Sequence, residues 1–130
     1  MIEAIQLTMN FKQQTENDFR QSALWQQSRL LILDVFNITR TFPGGSENEI
    51  KHRMQVLAVT VTSNILKGDQ NDHPPASNHC FKKVEASLDD LKLVMQEALK
   101  KGYMAYTTYE QLNTAVVQIR KSLEITNRNQ

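Results

Sequence analysis

Glycine and proline occur at only three places in the 130-residue sequence, and these places constrain the fold more than any other feature. They lie at 43–45, at 68–75 and at 102. Neither residue continues a helix cheaply, because proline lacks an amide hydrogen and glycine loses more conformational entropy on ordering. The breakers leave four long segments joined by short connections, which is typical of helix bundles. We therefore predict an all-α fold, an antiparallel up-down-up-down four-helix bundle.

Each of the four segments has apolar residues at helical spacing. In the first segment they recur at three, four and seven residues, which gives one buried stripe; they are Leu24, Leu31, Val35, Ile38 and Phe42. We place the helices at about 19–41, 46–67, 77–101 and 108–127, within a bundle domain that spans 19–127 and precedes a short tail at 128–130.

The helix ends have their own signals. An S-x-x-E pattern at Ser46–Glu49 predicts a capping box at the start of the second helix, and Gly68 predicts a left-handed cap at its end. The third helix is expected to begin near Ser77 and to end before Gly102. A second capping pattern, at 107–111, opens the fourth helix.

Residues 1–18 form an N-terminal extension outside the predicted bundle. Ile5, Leu7, Met9 and Phe11 alternate with polar residues, as in a strand, and the six residues after Lys12 are polar. Two interpretations stay open. The extension is either an arm that orders on a neighbouring subunit or a frayed tail.

The first helix has more apolar residues than one bundle seam needs. Trp25, Ile32 and Phe36 share a second face, and Val56 and Val59 widen the second helix in the same way. A second apolar face indicates a second buried surface, so we expect a homo-oligomer that associates through Trp25, Ile32 and Phe36. The alternative is a thicker core with Trp25 at its edge.

The charges nearly balance, with 15 basic and 14 acidic residues, so a site for nucleic acid has to be a local patch. In an antiparallel bundle the start of the second helix and the end of the third lie at the same end. This brings Lys51 and Arg53 near Lys100 and Lys101, a patch that could bind RNA or DNA phosphates when repeated around a ring. The alternative is that these cations only solubilise the surface.

The sequence gives little support for catalysis or for a cofactor. The side chains of the types that bind metal ions lie around the second connection; they are Asp69, Asp72, His73, His79 and Cys80. They lack the spacing of known zinc sites and contain two intervening prolines. Phosphate-binding glycine loops are absent as well. We predict a protein that is not an enzyme and that holds no metal or cofactor.

Two further features of the sequence predict where in the cell the protein is found. The lone Cys80 cannot form an internal disulfide, which suits a reducing compartment. The longest aliphatic run, at 30–33, is far shorter than a membrane span, and the first residues lack the pattern of a signal peptide. We expect a cytoplasmic protein without membrane contact.

Several landmarks in order resemble the bacterial 23S rRNA intervening-sequence protein family. They are Phe19, Leu24-Trp25-Gln26, Phe42-Pro43, Ala58-Val59-Thr60-Val61, Asn64-Ile65 with Gly68, Ser87-Leu88-Asp89-Asp90-Leu91, and Gly102-Tyr103. The resemblance runs from Phe19 to the end of the chain. The chain departs from the family pattern at Thr60, at Leu66-Lys67 and at Val56-Leu57, where the family has Ser, Ala-Glu and Arg-Ala.

The resemblance implies a four-helix bundle that assembles into a ring-shaped homopentamer. A related group, the accessory proteins of diversity-generating retroelements, is similar in fold and binds nucleic acid and a reverse transcriptase, but is strongly basic. We therefore expect a non-catalytic, homo-oligomeric scaffold for RNA, DNA or a nucleic-acid-processing partner such as a reverse transcriptase. The alternative is a purely structural or protein-interaction module.

One motif residue lies on the apolar face of the second helix. A buried Asn64 amide needs hydrogen-bond partners, and we expect it to bond across the bundle, to Ser87 or Ser28. Its role would then be structural, in fixing the register of the helices.

Overall fold

The computed structural model of the chain describes residues 22–70 and 73–128, so the predicted extension at 1–18 lies outside the described residues. The helices are α1, Ser22–Thr39; α2, Glu49–Asp69; α3, Pro74–Lys100; and α4, Tyr106–Arg128. A short 3-10 turn, Gly45–Glu47, precedes α2. The described residues contain no β-strand.

Side-chain hydrogen bonds between neighbouring helices give their relative directions. Gln55 Nε2 donates to Thr39 Oγ1 at 3.0 Å, and Thr62 Oγ1 donates to the Ser28 carbonyl at 3.2 Å. Residue numbers therefore rise along α2 as they fall along α1, and these two helices are antiparallel.

The other two pairs of successive helices are antiparallel as well. Between α2 and α3, Ser77 bonds the Gly68 carbonyl and Arg53 meets Glu97. Between α3 and α4, Asp89 meets Arg120 and Gln96 meets Tyr109. Helix α1 also packs against α4, which closes the ring of four helices. The prediction of an all-α, antiparallel four-helix bundle is confirmed.

The core lies along the common axis of the four helices. Each helix contributes fully buried apolar side chains, among them Leu31 from α1, Met54 from α2, Leu88 from α3 and Ile119 from α4. The stripe predicted for the first helix is buried except at Ile38, which is half-buried and packs against the core. Removal of these side chains from water is the main force that holds the helices together.

The start of α2 differs from the predicted capping box. Gly44 and Gly45 have φ values of +84° and +54°, and the chain then enters the 3-10 turn, which contains Ser46. The N-cap is Asn48, whose Oδ1 accepts from the Lys51 amide at 3.1 Å while its Nδ2 donates to the Pro43 carbonyl at 2.7 Å. The capping box at Ser46 was wrong, because a second capping residue two positions later satisfies both the helix and the turn.

Two other helices begin earlier than predicted. Helix α3 starts at Pro74 rather than near Ser77, with proline at its first positions, where the missing amide hydrogen breaks no helical bond. Ser77 lies inside the first turns of α3. Helix α4 starts at Tyr106, so the pattern at 107–111 lies within the helix. The described part of α1 ends at Thr39, before the predicted 41.

The two glycines that were expected to end helices act differently. Gly102 has a φ of +74°, and the amides of Gly102 and Tyr103 donate to the carbonyls of Leu99 and Ala98, each at 3.0 Å. This is the Schellman arrangement, which only a residue without a Cβ adopts at little cost. It ends α3 where the sequence predicted.

Gly68, in contrast, is not a left-handed cap. It is buried inside α2, and the helix continues to Asp69 with Gln70 as its C-cap. A Cβ at this position would lie 2.6 Å from Cε1 of Phe81. The prediction was wrong because glycine is needed here for the close approach of the Phe81 ring from α3, and not for its backbone angles.

We expect Gly68→Ala to destabilise the bundle by about 1 to 3 kcal/mol, since the added methyl overlaps a ring held in the core. The change in the midpoint of urea unfolding would measure this loss. Lys67→Ala, at the exposed neighbouring position, serves as the control and should leave the midpoint nearly unchanged. Phe81→Leu combined with Gly68→Ala should cost less than the sum of the two single changes, and simple additivity would contradict the steric explanation.

Candidate interaction surfaces

The face of α1 predicted as an oligomer interface is only partly exposed. Trp25 is half-buried, with the Arg29 guanidinium 4.8 Å from the centre of its ring, and Ile32 is half-buried against the core. Phe36 is 41% exposed, and Leu33, which the sequence reasoning did not select, is 59% exposed. Leu33 stands three residues before Phe36, but it falls outside both stripes that we predicted for this helix.

The outer side of α2 continues this apolar character. Val56 and Val59 are each 47% exposed, and Leu93 on α3 is 63% exposed. The Gln55–Thr39 bond places Phe36 roughly level with Val56 along the bundle, because antiparallel helices keep a constant offset. We call five of the exposed apolar residues of these three helices the apolar surface: Leu33, Phe36, Val56, Val59 and Leu93. Leu30 on α1 is 58% exposed as well and is not counted in it.

A groove between α2 and α3 includes two residues of this surface, Val56 and Leu93. It is open to solvent, with a volume of about 430 Å³, and we call it the α2–α3 groove. Its apolar side chains are Val56, Leu57 and Leu93, and its polar side chains are His52, Arg53 and Asp90. The groove therefore offers apolar contact area with hydrogen-bonding groups next to it.

The predicted basic patch is divided in the structure. Arg53 and Lys101 line a polar pocket at the end of the bundle, where α1 meets α2 and α3 meets α4, whereas Lys51 and Lys100 do not line it. Arg53 lies 3.3 Å from Glu97, and both side chains are about half exposed. The same pocket is lined by Glu47 and Glu49, so its carboxylates outnumber its cations.

Most of the family landmarks are structural in this fold. Phe42 is buried and its ring centre lies 5.2 Å from that of Tyr103, which joins the first and third connections. The buried members of the landmark set are Ile65, Leu88 and Leu91 in the apolar core and Asn64, Gly68 and Ser87 beside it. Asp90 is exposed in the α2–α3 groove. The landmarks thus mark turns and packing positions more than a surface site.

Asn64 bonds differently from the prediction. Its Nδ2 donates to the Thr60 carbonyl at 2.9 Å, one turn earlier in α2. The expectation of a bond across the bundle to Ser87 or Ser28 was wrong, because a short amide on a helix can reach the carbonyl four residues before it.

Comparison with known proteins identifies the family. The family described as 23S rRNA-intervening sequence protein matches residues 20–124. The chain belongs to this family. A search of curated proteins gives no match.

A solved structure agrees with this assignment at the level of the fold. It is a protein of unknown function from the S23 ribosomal protein family of Bacteroides thetaiotaomicron, with a TM-score of 0.77 and 12% sequence identity. The match covers 84% of this chain and 98% of that protein. At this identity the likeness extends to the fold alone.

Within the described part of the chain, the residues of the types that bind metal ions do not form a metal site. In residues 22–70 and 73–128 there is no group of three or more His, Cys, Asp or Glu side chains that could hold a metal ion. His73 and His79 are exposed and Cys80 is half-buried, whereas Asp72 lies outside the described residues. Among the described helices, none is long and apolar enough to cross a membrane.

We expect the Arg53–Glu97 pair to contribute little to stability. A double-mutant cycle of Arg53→Ala and Glu97→Ala should give a coupling of less than about 1 kcal/mol, because exposed ion pairs are screened and lose side-chain entropy. Urea unfolding of the four proteins would measure it. A coupling free energy of about 2 kcal/mol or more would contradict this expectation and would show that the pair stabilises the packing of α2 against α3.

Proposed function

We propose that the protein is a non-catalytic, homo-oligomeric scaffold whose copies associate through the apolar surface. The observation that carries the proposal is the clustering of exposed apolar side chains on α1 and α2. A surface of this kind is unfavourable in water and is typical of a protein–protein interface. Five copies in a ring is the number that the family resemblance suggests.

The residues chosen from the sequence flank the same surface. Trp25, Ile32 and Phe36 follow one another at seven and four residues on one side of α1, and Val59 lies on the outer side of α2. Phe36 is the most exposed of the three α1 residues, so it would contribute most to the interface in this proposal. Half-buried Trp25 and Ile32 would extend the contact along the helix.

Light scattering on a gel-filtration column tests the assembly. We expect the wild-type protein to have about five times the 15.0 kDa mass of one chain. Phe36→Asp combined with Val59→Asp should give a monomer, because two buried carboxylates without partners oppose association. Val117→Asp is the matched control, since it adds a charge at a 39% exposed valine on α4 and should leave the assembly intact. A wild-type monomer at micromolar concentration would refute the proposal.

A second proposal is that the assembled protein binds RNA or DNA at the end of the bundle that carries Lys100 and Lys101. Both lysines are exposed, and at the same end Tyr106 is 61% exposed and stacks on Tyr109 with ring centres 6.2 Å apart. Lysines supply phosphate contacts and exposed aromatic rings stack with bases, which is the chemistry of single-strand binding. The family description also names an rRNA.

The affinity for a structured RNA, measured at several salt concentrations, tests this second proposal. Lys100→Ala combined with Lys101→Ala should weaken binding and reduce the salt slope by about one for each phosphate that is no longer neutralised. Lys82→Ala combined with Lys83→Ala removes the same charge toward the opposite end of α3 and should have a smaller effect. If the RNA does not bind, or if its affinity does not fall as the salt concentration rises, the second proposal is refuted. The protein is then a protein-interaction module, and a protein such as a reverse transcriptase is the partner to test.

A further inference from the structure

Two exposed apolar side chains lie outside the apolar surface and share another side of the bundle. They are Leu30 on α1, 58% exposed, and Ile125 on α4, 60% exposed. Leu30 stands nine residues before Thr39, whose side chain contacts α2, so it points about 180° away from that contact. Ile125 stands five residues after Arg120, which meets α3, and is turned about 140° away from it. Both therefore project from the side where α1 packs against α4.

Leu30 and Ile125 also lie near the same level along the bundle. Followed from helix to helix, the hydrogen bonds between successive helices place Leu30 level with α4 between about residues 119 and 124. The two residues are therefore less than about 10 Å apart along the axis. Packed helices lie about 8 to 10 Å apart, so the two side chains can belong to one contact surface.

Exposed neighbours at helical spacing extend this surface without adding charge. Residues seven positions apart lie on one side of a helix, and the exposed residues at this spacing from Leu30 and Ile125 are alanine or side-chain amides. We call these six residues the α1–α4 face: Ala23, Leu30, Asn37, Gln111, Gln118 and Ile125. None of them is charged, and depletion of charged residues is typical of the centre of a protein–protein interface.

A closed ring requires two different contact surfaces on each copy. Every copy meets one neighbour on each side through the same contact, so one surface of a copy faces a different surface of the next. The apolar surface therefore cannot face itself in a ring. A ring that uses it needs a second surface opposite it.

The α1–α4 face has the orientation that a ring requires. Phe36 and Val59 lie one helical turn from Thr39 and Gln55, which join α1 to α2, so they belong to the adjoining side of the bundle. Adjoining sides of a four-helix bundle meet at about 90°. In a ring of five, the two contact surfaces of a copy stand at about 108° to each other, whereas opposite sides would produce an open row.

The charges beside the two surfaces have opposite signs. Arg29 lies over Trp25 beside the apolar surface, and Asp34 lies four residues after Leu30, beside the α1–α4 face. Within residues 22–70 and 73–128, neither Arg29 nor Asp34 forms an ion pair. Opposite charges on facing surfaces favour one pairing of surfaces over others.

We propose that the α1–α4 face of one copy binds the apolar surface of the next copy. The proposal rests on the proposed function, because it requires association through the apolar surface. It assigns to Leu30 and Ile125 the contact opposite Phe36 and Val59, and it places α1 toward the centre of the ring.

Charged substitutions on the α1–α4 face test this pairing by light scattering. Leu30→Asp combined with Ile125→Asp should lower the mass from about five chains to one, 15.0 kDa, because unpaired carboxylates oppose burial. The matched control is Val117→Asp combined with Gln96→Glu. It adds two carboxylates on the side where α3 meets α4 and should keep the wild-type mass. Far-UV circular dichroism of each protein checks that its helix content is retained.

The same measurement separates this pairing from the proposed function. Phe36→Asp combined with Val59→Asp should also give a monomer. If it does while Leu30→Asp combined with Ile125→Asp keeps the wild-type mass, the pairing is overturned and the proposed assembly stands. A wild-type monomer would overturn both.

A mixture of the two altered proteins tests the pairing directly. Each altered chain has lost one contact surface, so together they retain one intact pair: the apolar surface of the first chain and the α1–α4 face of the second. The mixture should therefore contain dimers of about twice the 15.0 kDa mass of one chain and no larger species. A mixture that stays monomeric would contradict the pairing. Dimers of the chain with Leu30→Asp and Ile125→Asp alone would show that the apolar surface pairs with itself and would also overturn it.

Discussion

The contact between Gly68 and the Phe81 ring determines how α2 and α3 meet, and much of the remaining structure depends on it. Cε1 of the ring lies 2.6 Å from the position that a Cβ on residue 68 would take, so the two helices can approach this closely only with glycine there. The hydroxyl of Ser77 bonds the Gly68 carbonyl at the same place. The two helices run antiparallel from this contact, and toward their other end Arg53 meets Glu97 and also lines the α2–α3 groove.

The sequence predicted the number, order and approximate positions of the helices, because helical periodicity and helix-breaking residues act locally. The sequence-based prediction was wrong about the helix caps, where neighbouring residues compete for the same role. Ser46 and Asn48 are both good capping residues, but Ser46 lies in the 3-10 turn that follows Gly44, and Asn48 caps α2. The prediction for Gly68 was wrong for another reason. The sequence does not distinguish a glycine needed for positive φ from one needed for a close neighbour.

The candidate surfaces were harder to predict than the fold. Phe36 was found because it repeats with Trp25 and Ile32, whereas Leu33 and Leu93 fall outside the predicted stripes and were missed. The predicted basic residues do not line one pocket, and the charge around each of them depends on partners distant in sequence. Glu97 lies 44 positions from Arg53, and no local pattern could reveal that the two side chains meet.

An even number of antiparallel helices returns the chain to the end at which it began. Ser22 and Arg128 therefore lie at the same end of the bundle, away from Lys100 and Lys101. An engineered fusion that joins Arg128 of one bundle to Ser22 of the next through a short linker would not pass over the end that carries Lys100 and Lys101. Covalently linked repeats would then make it possible to place a single altered subunit at a chosen position of an assembly, which a mixture of separate chains does not allow.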